Sequence, residues 1–180
     1  MAENLNYAVS GSYCYDNDLS NCDIYGRLYE WKTAMSGASS SDATTSGVQG
    51  VCPSGWHLPS DAEWTILNDY VDANNGIDAL SQKVARVIIE NLKATAVGNS
   101  LKATRGWTYS RVSKATDQFG FSALPTGTSE HYGMAFVYEG VCGQWWSTSE
   151  SSSMSAYYRR LGDCGHSGSA GESVGFRQDT

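Results

Sequence analysis

After Gly98 the sequence breaks into short aromatic runs cut by glycine and serine: Trp107-Thr-Tyr109, Phe119-Gly-Phe-Ser-Ala-Leu124, Met134-Ala-Phe-Val-Tyr138, Gln144-Trp-Trp-Ser147, Ala156-Tyr-Tyr-Arg-Arg-Leu161 and Ser173-Val-Gly-Phe-Arg177. Runs so short and so aromatic suit strands, and the residues between them suit turns. The preceding stretch has the opposite texture. Ser60-Asp-Ala-Glu63 spells a capping box, in which serine and glutamate each satisfy the other's backbone N–H. It predicts a helix near 60–73, with Trp64, Leu67, Tyr70 and Val71 at spacings of three and four. A second amphipathic segment, 78–94, places Leu80, Val84, Val87, Ile88 and Leu92 on one face. Helices first and strands later imply an α+β fold, two helices beside a mainly antiparallel, twisted sheet, and exclude a doubly wound parallel sheet.

Elsewhere the local signals are coarser. Asn4 to Tyr15 alternates loosely and reads as an edge strand or extended arm, and Tyr25 to Met35 as a strand turning into a helix. Residues 36–50 are almost all Ser, Gly, Thr, Ala and Asp, a loop with little to bury. The chain has 180 residues, the size of one domain. Twelve basic residues against nineteen acidic ones give a net charge of −7 with no basic cluster, which excludes a phosphate-backbone partner. No window is apolar enough to span or insert into a membrane, and residues 1–7 lack the makeup of a signal peptide.

The five cysteines are odd in number but informative in spacing. Cys14 and Cys22 bracket a turn-rich run, Tyr15-Asp-Asn-Asp-Leu-Ser-Asn21, short enough to bring them together as a local disulfide. Cys142 and Cys164 flank the Trp-rich hairpin candidate and form the second expected pair, which leaves Cys52 free. None of these spacings is a CxxC pair, so a structural zinc site has no support. Low lysine with abundant Tyr, Ser and Gly points to an oxidising, extracellular setting.

Catalytic signals are weak. Gly165-His-Ser-Gly-Ser169 misses the nucleophile elbow at its last position, and His57, His131 and His166 read as structural or solvated. Asp16, Asp18 and Asp23 offer oxygen ligands, but without the glycine and terminal glutamate of a calcium loop a polar turn is the better reading. Recognition chemistry is richer, because Tyr, Trp and Arg dominate binding hot spots and crowd the last third of the chain. In a strand over 156–161, Ala156, Tyr158 and Arg160 face opposite to Tyr157, Arg159 and Leu161.

Met-Ala-Glu-Asn-Leu-Asn-Tyr (1–7), Gly-Ser-Tyr-Cys-Tyr-Asp-Asn-Asp (11–18), Tyr-Gly-Arg-Leu-Tyr-Glu-Trp (25–31), Val-Cys-Pro-Ser-Gly-Trp-His-Leu-Pro-Ser-Asp-Ala-Glu-Trp (51–64), Phe-Gly-Phe-Ser-Ala-Leu-Pro-Thr-Gly (119–127) and Trp-Trp-Ser-Thr-Ser-Glu (145–150) follow one another in the order of a known family. Together they resemble the Fibrobacter succinogenes major paralogous domain. The resemblance implies a C-type-lectin-like fold related to formylglycine-generating enzymes and to the variable proteins of diversity-generating retroelements. It further implies a single domain over 1–180, excised from a larger exported bacterial protein, with an export or lipoprotein signal upstream and an extracellular or cell-surface location.

Members often end in a Ser-Val-Arg-Cys strand, whereas this chain ends Ser-Val-Gly-Phe-Arg-Gln-Asp-Thr, so the family's partner for Cys52 is missing. The oxidase relatives bind copper with a pair of cysteines near a Gly-Phe-Arg-Cys-type strand, where this chain has Gly175-Phe-Arg177 followed by Gln178, and calcium lectins place oxygen ligands after a tryptophan that is here followed by Ser147-Thr148. The resemblance therefore implies no enzyme, no metal and no cofactor.

It implies instead a noncatalytic, adhesin- or receptor-like module that binds a protein or glycan through residues 132–177. The expected contributors are Tyr138, Gln144, Trp145, Tyr158, Arg160, Asp163 and His166. Tyr158 and Arg160 are chosen on the assumption that Leu161 points inward. Trp146 is expected in the core and Trp145 at the surface. The alternative is a spacer domain of a surface protein whose aromatics only fill a small core.

Overall fold

The computed structural model describes residues 3–74, 96–108, 115–130, 132–162 and 164, and the backbone of 173–178. The N-terminal arm leads into β1 (Ser12–Tyr13), a 3₁₀ turn (Tyr15–Asn17) and α1 (Leu19–Tyr25). The run between the first cysteines is thus half helix rather than all turn. Asp18 caps α1 by accepting from the backbone N–H of Ser20 at 2.9 Å, the usual use of a short carboxylate at a helix start. The predicted disulfide closes this unit, Cys14 to Cys22, with Cα atoms 5.0 Å apart.

Gly26 ends α1 with φ +76°, and a side chain there would run into Asn4 and the Leu5 carbonyl. The arm is held in that groove by the Arg27 N–H, which donates to the Leu5 carbonyl at 2.9 Å. Next come β2 (Leu28–Tyr29), paired antiparallel with β1, and α2 (Trp31–Met35), the strand-to-helix turn read from the sequence.

Residues 36–50 form a loop as expected, but one that buries Ser46 and Val48. Its backbone is not left to solvent: Ser41 N–H donates to the Thr148 carbonyl at 3.1 Å, and the Thr148 hydroxyl returns a bond to the Ser41 carbonyl at 2.7 Å. These tertiary bonds offset the ordering entropy that composition alone made prohibitive.

The capping box opens α3 (Asp61–Asn74) as predicted. Glu63 N–H donates to Ser60 Oγ at 3.2 Å, and Ser60 N–H to Glu63 Oε2 at 3.0 Å. The second predicted helix, 78–94, lies outside the described residues. Residues 96–101 are helical, where the sequence texture had already changed toward strands.

Two of the predicted strands are absent from the described residues. Residues 107–108 and 119–124 are irregular apart from one parallel bridge between Lys102 and Ala123. Asp117 explains the second case. Its carboxylate accepts from both the N–H and the hydroxyl of Ser122, each at 2.7 Å, which folds Phe119 and Phe121 into a turn.

The remaining aromatic runs are strands. β3 (Thr128–Glu130) pairs with β4 (Ala135–Val137), while β5 (Cys142–Ser152), β6 (Ser155–Gly162) and β7 (Ser173–Gln178) form an antiparallel sheet in that order. The fold is α+β, and the strands among the described residues are divided among three small antiparallel sheets. The second predicted disulfide, Cys142 to Cys164, closes the β5–β6 end, with Cα atoms 5.2 Å apart.

β5 carries the core on both faces. One cluster gathers Val71, Val97, Leu101, Ala123 and Leu161, with Trp145 packed on it. The other gathers Trp31, Met35, Val48 and Ala156, with Trp146 packed on it. The expectation that Trp145 is a surface residue and Trp146 a core residue is therefore corrected. The two rings do leave opposite faces, as adjacent strand residues must, but each face is covered and both rings are half-buried.

The edge of β5 away from β6 is covered as well. The indole N–H of Trp31 donates to the Ser147 carbonyl at 2.7 Å, that of Trp64 to the Trp146 carbonyl at 3.3 Å, and Thr148 N–H to the Pro59 carbonyl at 2.9 Å. Such covering removes the unpaired backbone row that makes an open edge prone to pairing with other chains.

Candidate functional site

A cavity of about 960 Å³ opens where the N-terminal arm, the α1–β2 connection, the loop 51–59, the start of α3 and strands β5 and β6 converge. That is the upper part of the range for small-ligand sites. Its walls are aromatic, with Tyr13 and Tyr29 from β1 and β2, Trp56 from the loop, and Trp146 and Tyr158 from the hairpin.

The polar atoms of most of these rings are used internally. Tyr13 OH donates to Glu30 Oε1 at 2.5 Å, and that bond, with burial, pushes the phenol up to about 12. Tyr29 OH donates to the Tyr7 carbonyl at 2.8 Å and accepts from Tyr7 N–H at 2.9 Å; burial pushes it to about 12 as well. Neither phenol ionises near neutral pH. The indoles of Trp145 and Trp146 donate to Asn4 Oδ1 at 3.2 Å and to the Tyr29 carbonyl at 2.8 Å. These hydrogen bonds fix the rings in place.

Trp56 differs. It is 61 % exposed. The indole N–H of each of the other five tryptophans has a hydrogen-bond acceptor, while that of Trp56 has none among the described residues. Its loop is held from below by Glu63. Burial pushes this carboxyl up, but the N–H of Ser60, the His57 ring and the N–H of Ser46 outweigh that and hold it below its ordinary value. His57 Nε2 lies 2.9 Å from Glu63 Oε1, so this histidine is tied to the capping box. Cys52, the one free cysteine among the described residues, also lines the cavity half-buried, and burial pushes its thiol up, away from the reactive thiolate.

The family model for the Fibrobacter succinogenes major domain matches residues 1–178. The chain belongs to that family. No curated protein and no solved structure matches it. The two disulfides of this Fibrobacter succinogenes major domain fit an oxidising compartment. No helix among its described residues is long and apolar enough to cross a membrane.

Of the residues singled out in the sequence, Gln144, Trp145 and Tyr158 come together at the cavity wall. Tyr158 is not the surface residue expected: it is only 8 % exposed, with its ring edge-on to Trp146 at 5.8 Å. The premise behind that expectation holds, since Leu161 and Arg159 are buried, Arg159 against Asp61 and the Thr65 hydroxyl. The inference failed because the face opposite Leu161 is covered too.

Arg160 stands opposite Gln144 in the β5–β6 register but does not line the cavity. Tyr138 is exposed on the turn after β4, away from the cavity, with its carbonyl accepting from Val141 and Cys142 N–H. Asp163 and His166 lie outside the described residues. Trp56, Tyr29 and Cys52 were not anticipated as site residues. The available signal was Pro53-Ser-Gly-Trp-His-Leu-Pro59, a tryptophan in a turn fixed between two prolines.

Proposed function

We propose that this chain is a noncatalytic ligand-binding module of an exported protein, displayed outside the cytoplasm or at the cell surface and built on a C-type-lectin-like fold. Its ligand occupies the cavity beneath Trp56. The observation that carries this reading is the contrast between Trp56 and the other five tryptophans. A large aromatic left in water with its N–H unused, at the mouth of an aromatic cavity, is a cost to a scaffold and an asset to a binding surface. The cavity draws on the C-terminal segment through Gln144, Trp145 and Tyr158, and equally on the first half of the chain. The site needs no metal.

An array of glycans and surface proteins probed with the chain tests this. The expected result is binding that Trp56→Ala weakens at least about tenfold, or 1.4 kcal/mol, and that chelator leaves unchanged. Binding indifferent to Trp56→Ala and Gln144→Ala moves the site elsewhere. The second reading, a spacer domain, draws support from the five indoles spent on internal bonds, and an array with no response favours it.

A further inference from the structure

We infer that the cavity takes a neutral saccharide, one ring stacked on Trp56 and its hydroxyls met by the Gln144 amide, with the in-plane indole N–H left to an adjoining sugar, an assignment that rests on the binding-module reading above. A sugar ring presents C–H groups on its faces and hydroxyls around its rim. It is matched by an aromatic face that water still reaches and by neighbouring donors and acceptors with unspent capacity.

The site supplies both. Trp56 is the exposed ring, and the Gln144 side chain lines the cavity with no hydrogen-bond partner among the described residues. Tyr13, Tyr29 and Trp146 are immobilised by their own hydrogen bonds, so little order remains to be imposed on these walls on binding.

Charge narrows the class further. The cavity is lined by Glu3, Asp23, Glu30 and Glu63 against Arg27 and Arg105, with no lysine. An anionic ligand would meet more carboxylates than guanidiniums and lacks the clustered cations that bind phosphate, sulfate or uronate. Glu30 and Glu63 are themselves engaged, by Tyr13 and by the capping box with His57, so they do not call for a cationic ligand.

A peptide adding itself as a strand finds little purchase on β5 or β2. The outer edge of β5 is occupied by the Trp31 and Trp64 indoles and by the Pro59 carbonyl, and β2 is two residues long and already paired.

The test uses the full chain and three probe sets: neutral oligosaccharides of glucose, xylose, mannose and galactose; sulfated and uronic-acid oligosaccharides; and a random-sequence peptide library. Calorimetry reads affinity, and melting temperature monitors folding. The expected result is affinity for a neutral oligosaccharide that falls at least about tenfold in Trp56→Ala and several-fold in Gln144→Ala, with both variants melting like the wild type. Trp56→Phe, which keeps a stacking face, retains most of the affinity. Preference for the acidic sugars, or Trp56-dependent binding of peptides alone, overturns the saccharide assignment while leaving the binding module standing. Absence of binding to all three sets overturns both. Neutral-sugar binding unchanged in Trp56→Ala and Gln144→Ala overturns the placement.

Discussion

The β5–β6 hairpin and the loop 51–59 both contribute tryptophan to the same cavity, yet they treat it in opposite ways. In the hairpin, Trp145 and Trp146 are half-buried, each packed on its own core cluster and each donating its indole N–H to another segment. In the loop, Trp56 is exposed and makes no such bond among the described residues. The same residue type is scaffold in one place and surface in the other. What separates them is whether the N–H has been spent. A buried indole must find an acceptor, because an orphaned N–H costs about 1–3 kcal/mol, whereas an exposed one has water.

The comparison can be broken most forcefully at Trp31, the most deeply placed scaffold indole on the β5 edge. Trp31→Ala removes a buried ring and the donor to Ser147 at once, and should cost about 3–5 kcal/mol in urea denaturation. A loss below about 1 kcal/mol would show that β5 is not held by that edge.

Trp145→Ala and Trp146→Ala come next. Both faces of β5 are core, so each should lose about 3 kcal/mol, near the lower limit for a large aromatic because both rings are half-buried. A near-neutral Trp145→Ala would return that residue to the surface.

Glu63 sharpens the other side, since it carries the loop from below. Glu63→Gln keeps an acceptor for the capping box but gives up the charge that the Ser46 and Ser60 N–H groups and the His57 ring face, and should cost about 0.5–1.5 kcal/mol at neutral pH. The carboxyl is depressed in the fold, so its stabilisation is fully present above its ordinary value of 4.5 and is lost as pH falls through the lower folded value. Wild type should therefore show a decline in stability on acidification that Glu63→Gln lacks. Parallel pH profiles would mean the carboxylate is not held by these donors.

The smallest effect belongs to Trp56→Ala, within about 0.5 kcal/mol. A melting temperature lowered as far as in the Trp146 variant would make Trp56 a scaffold residue and erase the contrast.

Local chemistry in the sequence reached a good part of this architecture. The Ser60–Glu63 box specifies the start of α3 because both partners lie within one turn. Cys14 and Cys22 pair because the chain between them is short and mostly polar, and the aromatic runs at 144–147 and 156–161 become paired strands. Two bonds lay beyond that reading, one local and one tertiary. Asp117, five residues from Ser122, turned 119–124 away from a strand, and bonds to Thr148 gave the expected Ser/Gly loop a buried part.

The sequence by itself determined which residues of β6 share a face and that Trp145 and Trp146 leave opposite ones, since alternation is built into a regular strand; beyond Trp146 register shifts interrupt it in β5. That Leu161 points inward, with Arg159 beside it, entered only as an assumption, which the burial of both side chains bears out. The sequence could not determine that the opposite face is also covered, because that depends on Trp31, Met35 and Val48 arriving from more than a hundred residues away. Only the tertiary structure therefore decided that Tyr158 is buried and Trp56 is not. A two-residue period divides side chains between two faces, but burial depends on what the rest of the chain lays against each of them.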